Sequence, residues 1–211
     1  MSTTAPSNIS LVFLDIDGTL IDSAFKIQEE VRTTIETCSK QGVKFALASG
    51  RPLFGAADVL KQLPISAPSV FFSGGLVYDP IRKQTLHQST LEPEIVRALI
   101  DTAHSADIYI ELYTVDNYFI EATTDLTALH ARYLNRHPEC TDLRRLATQD
   151  QILKVVMIAN GHSEQDKLRE LLSSNQHVSC GYASGAGDPD ILFANLSSRD
   201  ANRAATFELV L

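Results

Sequence analysis

Leu11-Val12-Phe13-Leu14 opens the patterned part of the chain as a short, unbroken apolar run ending at Asp15. Such a run suits a parallel strand buried on both faces, delivering Asp15 at its C-terminal end. Ile27, Val31, Ile35 and Cys38 then recur at three- and four-residue steps, which predicts a helix covering the sheet, and Gly42 can take the left-handed position that ends it. Val43 to Ala48 is a second apolar run, Pro52 to Leu63 a second helix with proline in its first turn, and Ser69 to Phe72 a third strand. Three such units in series imply a parallel, doubly wound α/β sheet, because parallel strands need crossover connections.

After Asp79-Pro80 the pattern changes. Gln84 to Ser89 alternates as a strand, Pro93 to Ala106 is a helix, and Ile108 to Ala122 reads as two strands around a turn at Asp116-Asn117. A helix over Leu126 to Asn135, a strong strand at Ile152 to Ala159, a helix at Glu164 to Ser173 and strands near Val178 to Tyr182 and Ile191 to Leu196 follow. Asp200 to Leu211 is helical, with Asp200 as its N-cap. The expected division is a first core part at 1–79, an inserted α+β block with an antiparallel sheet at 80–189, and a return strand and helix of the core at 190–211.

At 211 residues, 44% hydrophobic and 21% charged, the chain can bury a sizeable core. A net charge of −8 advertises no basic face, so nucleic acid and membrane partners are disfavoured. The first residues lack a charged segment followed by an apolar one, and no apolar run approaches the roughly 20 residues a spanning helix needs, so a cytoplasmic protein is expected. Cys38, Cys140 and Cys180 are far apart and have neither metal-ligand nor disulfide-framework spacing. They are expected to be reduced, mostly buried small hydrophobes.

Chemistry concentrates in two loops. In Asp15-Ile16-Asp17-Gly18-Thr19-Leu20, two carboxylates at i and i+2 can face one site once the chain leaves the extended pleat, and Gly18 permits the turn. One carboxylate can attack phosphorus to give an aspartyl phosphate while the second protonates the leaving oxygen and then deprotonates water. The pair also suits a hard cation such as magnesium. Alone, Asp-x-Asp-Gly is an ordinary acidic turn; the strand before it and the second loop raise its meaning. Ser49-Gly50-Arg51 follows the second strand, on the sheet edge where ligands of open α/β folds collect. There a hydroxyl and a backbone N–H can bind phosphoryl oxygens, and Arg51 can add a planar cation for substrate or for an acidic loop. The plain alternative is a βα turn with a surface arginine.

LVFLDIDGTLIDS, followed by FALASGRP and then FFSGGLVYD, resembles the opening of Cof-type haloacid dehalogenase-like phosphatases, whose cap is inserted after the third core strand. The resemblance covers essentially the whole chain. It implies a Rossmann-like core, C-terminally incomplete, with an inserted α/β cap domain. It further implies Asp15 as nucleophile and magnesium ligand, Asp17 as acid/base and magnesium ligand through its backbone carbonyl, and Ser49 as phosphate ligand; the reading of the loop adds Gly50 and Arg51 to the expected substrate-binding residues. Ser73-Gly74-Gly75 matches a loop bordering the substrate where the family usually has Asn-Gly, and Gly74 joins the binding residues. The family's third motif is a lysine near the start of the helix after the return strand. No lysine follows Lys167, and Arg203 is the best positional match because Phe207, one turn later, takes the expected core position; Arg199 is the alternative.

The family's fourth motif, a Gly-Asp with further acids, should follow a later core strand, which this chain does not reach. Gly187-Asp188-Pro189-Asp190 reads instead as a turn into Ile191. A fragment, a frameshifted gene, or an assembly in which a homo-oligomeric partner covers the incomplete sheet edge are the three accounts. In the cap, Tyr109, Tyr113, Asn117, Tyr118, His130, Arg132, Arg136 and His137 are candidate contacts for a phosphorylated sugar, most of them with an ordinary place on a surface or core edge. Histidines scattered singly make a zinc site improbable. The leading function is magnesium-dependent hydrolysis of small phosphate monoesters, sugar phosphates or a phosphorylated cofactor. A mutase or phosphotransferase is the same-fold variant, and a non-catalytic, ligand-binding remnant the rival.

Overall fold

The computed structural model describes residues 9–22, 26–185 and 188–210, with Arg203 and Ala205 described in their backbone only. Strand β1 (Leu11–Leu14) and strand β2 (Lys44–Leu47) are parallel and in register from Leu11–Lys44 to Leu14–Leu47. Helix α1 (Glu29–Lys40) makes the crossover, burying Ile35 on its apolar stripe. Gly42 ends this turn at φ 95°, the left-handed geometry glycine adopts at no steric cost. The expected second helix starts later than Pro52. A 3-10 turn at Phe54–Ala56 leads into helix α2 (Ala57–Gln62), because the amides of Gly55 and Ala56 bond three residues back, to Pro52 and Leu53.

Strand β3 (Ser69–Phe71) joins the parallel set through the bridge Ala48–Val70. The parallel run then stops. Phe72 and Ser73 turn the chain at φ 52° and 57° into strand β4 (Leu76–Asp79), antiparallel to β3 and to strand β5 (Gln84–Gln88). A turn that short cannot carry a crossover, so the hairpin is obligatory; β4 was absent from the hydrophobic-pattern reading.

The inserted block follows as helix α3 (Pro93–Ala106), strands β6 (Tyr109–Tyr113) and β7 (Tyr118–Ile120), helix α4 (Asp125–Leu134), strand β8 (Glu139–Cys140), helix α5 (Leu143–Gln149), strand β9 (Lys154–Asn160), helix α6 (His162–Ser173), strands β10 (Ser179–Gly185) and β11 (Asp188–Ser197), and helix α7 (Arg203–Phe207). Six of these strands form one sheet in the order β10-β11-β9-β6-β7-β8. The short β8 and α5 escaped the sequence pattern. So did the place of Ile191 to Leu196, which is not a return strand of the core. Those residues sit inside the cap sheet, hydrogen-bonded between β9 and β10, so the inserted block runs on to Ser197 and not to Pro189.

Both faces of the cap sheet are apolar, which is why β9 reads as an unbroken hydrophobic run. Val155, Met157 and Ala159 face outward to Val96, Leu99 and Ile100 of α3 and to Leu168 of α6 in one buried cluster. Val156 and Ile158 face inward, joining Phe193 of β11 and the core residues Ile16, Leu47, Phe71 and Leu76 in another. Past the cap, α7 returns to the core, with the Phe207 ring 4.6 Å from that of Phe13. Its N-cap is Asn202, whose Oδ1 accepts from the Ala204 N–H at 2.9 Å, and not Asp200. Truncating Ile158, fully buried in the shared inner cluster, to alanine is expected to cost about 2–5 kcal/mol; urea unfolding would show it as a lower midpoint with an unchanged slope.

Candidate active site

Asp15 leaves the C-terminal end of β1 exposed, Ile16 turns inward to complete burial, and Asp17 is exposed again. The loop is wound around the Ile16 carbonyl, which accepts the N–H groups of Thr19, Leu20 and Ile21 at 3.4, 3.0 and 3.1 Å. Gly18 holds φ 70° with open space where a Cβ would lie, so glycine is needed for its backbone freedom and not for room. Side chains of a strand alternate; here the alternation carries one step past β1, and both carboxylates reach solvent on either side of an apolar anchor.

Ser49 ends β2 fully buried. Its Oγ accepts the Arg51 N–H at 3.1 Å, its amide donates to Val70 O at 2.9 Å, and its carbonyl accepts the Ser73 N–H at 3.1 Å. Ser49 is thus the knot tying the second loop to the Ser73 turn. Arg51 takes the acidic-loop alternative. Its Nε donates to both Asp17 oxygens, at 3.1 and 2.9 Å, its Nη2 to Asp17 Oδ1 at 2.7 Å, and its Nη1 to the Gly55 carbonyl at 3.1 Å. A forked guanidinium fixes a carboxylate plane in a way that lysine cannot.

Asp17, Gly50, Arg51 and Ser73 line the core side of a cavity of about 450 Å³ whose cap side includes His130, Tyr133, Lys154 and Tyr182. Gly74 is buried behind Ser73 at φ 108°. Above this cavity the cap holds a buried carboxylate. Glu111 is fully enclosed; its Oε1 accepts from Tyr109 Oη at 3.1 Å, and its Oε2 from Tyr113 Oη at 2.5 Å and His130 Nδ1 at 2.7 Å. Burial of an ion is tolerable only with such saturation. Burial, with Glu111 adding to it, holds the Tyr109 and Tyr113 hydroxyls well above the usual phenol range. Lys154, directly opposite Tyr113 in the sheet, lies with its Nζ 5.5 Å from that ring's centre. Burial lowers the Lys154 pKa to about 8, against the raising effect of Glu111.

Of the cap residues singled out from sequence, Tyr113, Asn117 and Tyr118 are buried and structural: Tyr118 Oη donates to Arg136 O at 2.7 Å, and Asn117 Oδ1 accepts from Arg136 Nε at 3.1 Å. Tyr109 serves Glu111. Arg132 is exposed in a separate groove beside α2, and His137 is exposed. His130 alone among the eight reaches the cavity. Lys154 was missed, because a single lysine at the edge of an apolar strand looks like an ordinary strand end. Arg199 donates to the Gln176 carbonyl at 2.8 Å, tied to the cap. Arg203 opens α7, but its side chain lies outside the described residues, as does Gly187. Asp188 and Asp190 belong to β11. Cys38 and Cys180 are half-buried and Cys140 is exposed, none in a disulfide; the expectation of mostly buried cysteines is corrected for Cys140, which sits on the short edge strand β8.

Among the described residues no group of three or more His, Cys, Asp or Glu side chains converges on a metal-sized site. Magnesium needs fewer, since it takes one or two carboxylates together with waters and substrate phosphate. The donor set present fits that pattern: Asp15 has a free-standing exposed carboxylate, and the Asp17 carbonyl lies on the same loop, while the Asp17 side chain is held by Arg51. No helix among the described residues is long and apolar enough to cross a membrane.

A family model described as haloacid dehalogenase-like hydrolase matches residues 12–197, and the chain belongs to this family. A 5-amino-6-(5-phospho-D-ribitylamino)uracil phosphatase of Bacillus subtilis is 28% identical over 120 residues, 57% of this chain and 41% of its own length. The HMP-PP phosphatase of Serratia proteamaculans is 25% identical over 160 residues, 75% of this chain and 57% of its own. The chain thus spans about half the length of the curated relatives it matches. A haloacid dehalogenase-like hydrolase from Bacteroides thetaiotaomicron superposes with a TM-score of 0.83 at 20% identity, covering 96% of this chain and 76% of the other. It shares the fold.

Lys154 makes stability depend on pH with a definite sign. A base whose folded pKa is depressed to about 8 from 10.5 binds fewer protons than the unfolded chain between those values, so stability rises with pH there. Allowing for partial solvent screening, the gain is roughly 1–3 kcal/mol between pH 8 and 10. Above pH 10 the raised pKa values of Tyr109 and Tyr113 act in the opposite sense, because the unfolded phenols ionise first. Urea unfolding at pH 7.5 and 10 is expected to show this gain in the native chain and its loss in Lys154→Met. Equal changes in both would remove Lys154 as the cause.

Proposed function

We propose that the chain carries the nucleophile half of a magnesium-dependent phosphatase acting on small phosphate monoesters, sugar phosphates and similar metabolites, in the cytoplasm. The observation that carries this reading is the tie between three successive strand ends: Arg51, after β2, forks onto Asp17, two residues past Asp15 at the end of β1, and Ser49 bonds the Ser73 turn after β3. The names of the Bacillus and Serratia relatives, both phosphatases of phosphorylated metabolites, support it.

In this reading the Asp15 carboxylate attacks phosphorus and the leaving oxygen takes a proton from Asp17. Asp17 then removes a proton from water, which displaces phosphate from the aspartyl phosphate. Arg51 is a positioning residue: its contacts leave Asp17 at least one lone pair for the leaving group or water, since a carboxylate offers about four. In this reading the Ser49 hydroxyl and the Gly50 amide serve the phosphoryl oxygens, with the Arg51 amide bracing Ser49 Oγ and Gly74 shaping the opposite turn. Arg203, whose backbone opens α7, is read as the cation of the third motif. Asp15 and the Asp17 carbonyl would hold magnesium, which when bound neutralises charge on the phosphate.

Phosphate release from para-nitrophenyl phosphate with magnesium tests this. Asp15→Asn is expected to lose about three orders of magnitude or more, and Asp17→Asn about 10²–10⁴-fold in kcat. Release that persists without magnesium and is indifferent to Asp15→Asn would overturn it.

A further inference from the structure

The cap side of the active-site cavity contains a cation that no hydrogen-bond or ion-pair partner among the described residues satisfies. Lys154 Nζ carries three donors, yet among the described residues its only interactions are the face of the Tyr113 ring and the more distant charge of Glu111. Glu111 makes no hydrogen bond or ion pair with it among the described residues; its oxygens face Tyr109, Tyr113 and His130. Among the described residues, Asp17 is the one carboxylate lining the cavity, and Arg51 donates to both of its oxygens. The other cap-side lining residues are apolar, as Leu134 and Phe193, or polar without a carboxylate, as His130, Tyr182, Ser184 and Asn195. In a chain of net charge −8, a cavity wall with this sign is an exception that needs a cause.

We propose that Lys154 is the anion-binding element of a second subsite in the cap, taking a carboxylate or second phosphate borne by a phosphate monoester whose reacting phosphate lies at Asp15. This rests on the phosphatase reading above and narrows its substrate class to compounds with two anionic groups. A desolvated ammonium with free donors gains most from an anion that fills them, because the ligand supplies what burial has withdrawn. The Tyr113 ring faces the Lys154 ammonium, 5.5 Å from its centre, without neutralising it. Lys154 is thereby a specificity residue, distinct from the groups that break the bond.

The test uses a matched pair of probes, 3-phosphoglycerate and glycerol 3-phosphate, which differ in one carboxylate against one hydroxymethyl group. With magnesium and the full chain, kcat/KM is expected to favour 3-phosphoglycerate by about 10- to 100-fold, the range of a hydrogen-bonded charge. In Lys154→Met the ratio is expected to fall towards one, mainly through KM, while Lys154→Arg keeps most of it. Lys154→Gln serves if the methionine variant does not fold. Calorimetric titration of both probes into Asp15→Asn, with and without the Lys154 change, reads the same preference without turnover. A Lys154-dependent carboxylate preference in binding with no phosphate release in the unmodified chain would sink the phosphatase reading and leave the subsite standing. Phosphate release with a preference that is absent, or unchanged in Lys154→Met, would overturn the subsite, as would failure of 3-phosphoglycerate to bind.

Discussion

Ile16 is the residue on which the site hangs. It stands between two exposed aspartates and is itself fully buried, in the apolar cluster that also holds Val156, Ile158 and Phe193 of the cap. Its carbonyl gathers three amides of the following turn. One side chain therefore anchors the acidic loop in the core while belonging to the same cluster that seats the cap sheet over it. Burying an isoleucine this completely is worth about 1.5–3 kcal/mol, a substantial share of a domain's net stability. The positions of Asp15 and Asp17 are consequently tied to packing and not to the flexibility of a surface loop.

The same coupling explains the division of labour across the cavity. Core loops contribute acids, a hydroxyl and backbone amides, the groups the proposed phosphatase reaction would use, and they come from three consecutive strand ends. The cap contributes a sheet face in which apolar residues meet the core and a small polar enclave, Glu111 with its tyrosines and histidine, opens towards the cavity. Such an enclave is tolerated because each oxygen of the carboxylate has a donor.

Much of this was legible in the sequence where a local pattern carried the information. The run Leu11–Leu14 with Asp15 after it, the stripe through Ile35 and Cys38, Gly42, and the proline-led helix at Pro93 are each set by periodicity or by one backbone requirement. The family resemblance rested on the same local strings. What failed was non-local. Ile191 to Leu196 has the composition of any buried strand, and nothing within it distinguishes a place beside β9 from a place beside β1; partner choice is settled by tertiary packing. The hairpin at Phe72-Ser73 uses two non-glycine residues at positive φ, which turn statistics do not anticipate. β8 and α5 are too short for periodicity to register. Arg51 was foreseen as a cation for an acidic loop, but its partner became definite only once β1 and β2 were paired.

Lys154 shows most clearly why a site exceeds its motifs. Its chemistry does not come from its neighbours in sequence, Leu153 and Val155, both buried hydrophobes. It comes from register: pairing of β6 with β9 sets Lys154 opposite Tyr113, and the two-residue period puts Glu111 on the same face. A slip of one residue would turn the ammonium to the outer, all-apolar face against α3 and α6, where it would have neither the Tyr113 ring nor the cavity. The register of the cap sheet and the charge at the cavity wall are thus one constraint, imposed by the alternation of Val155 and Val156 between two hydrophobic clusters.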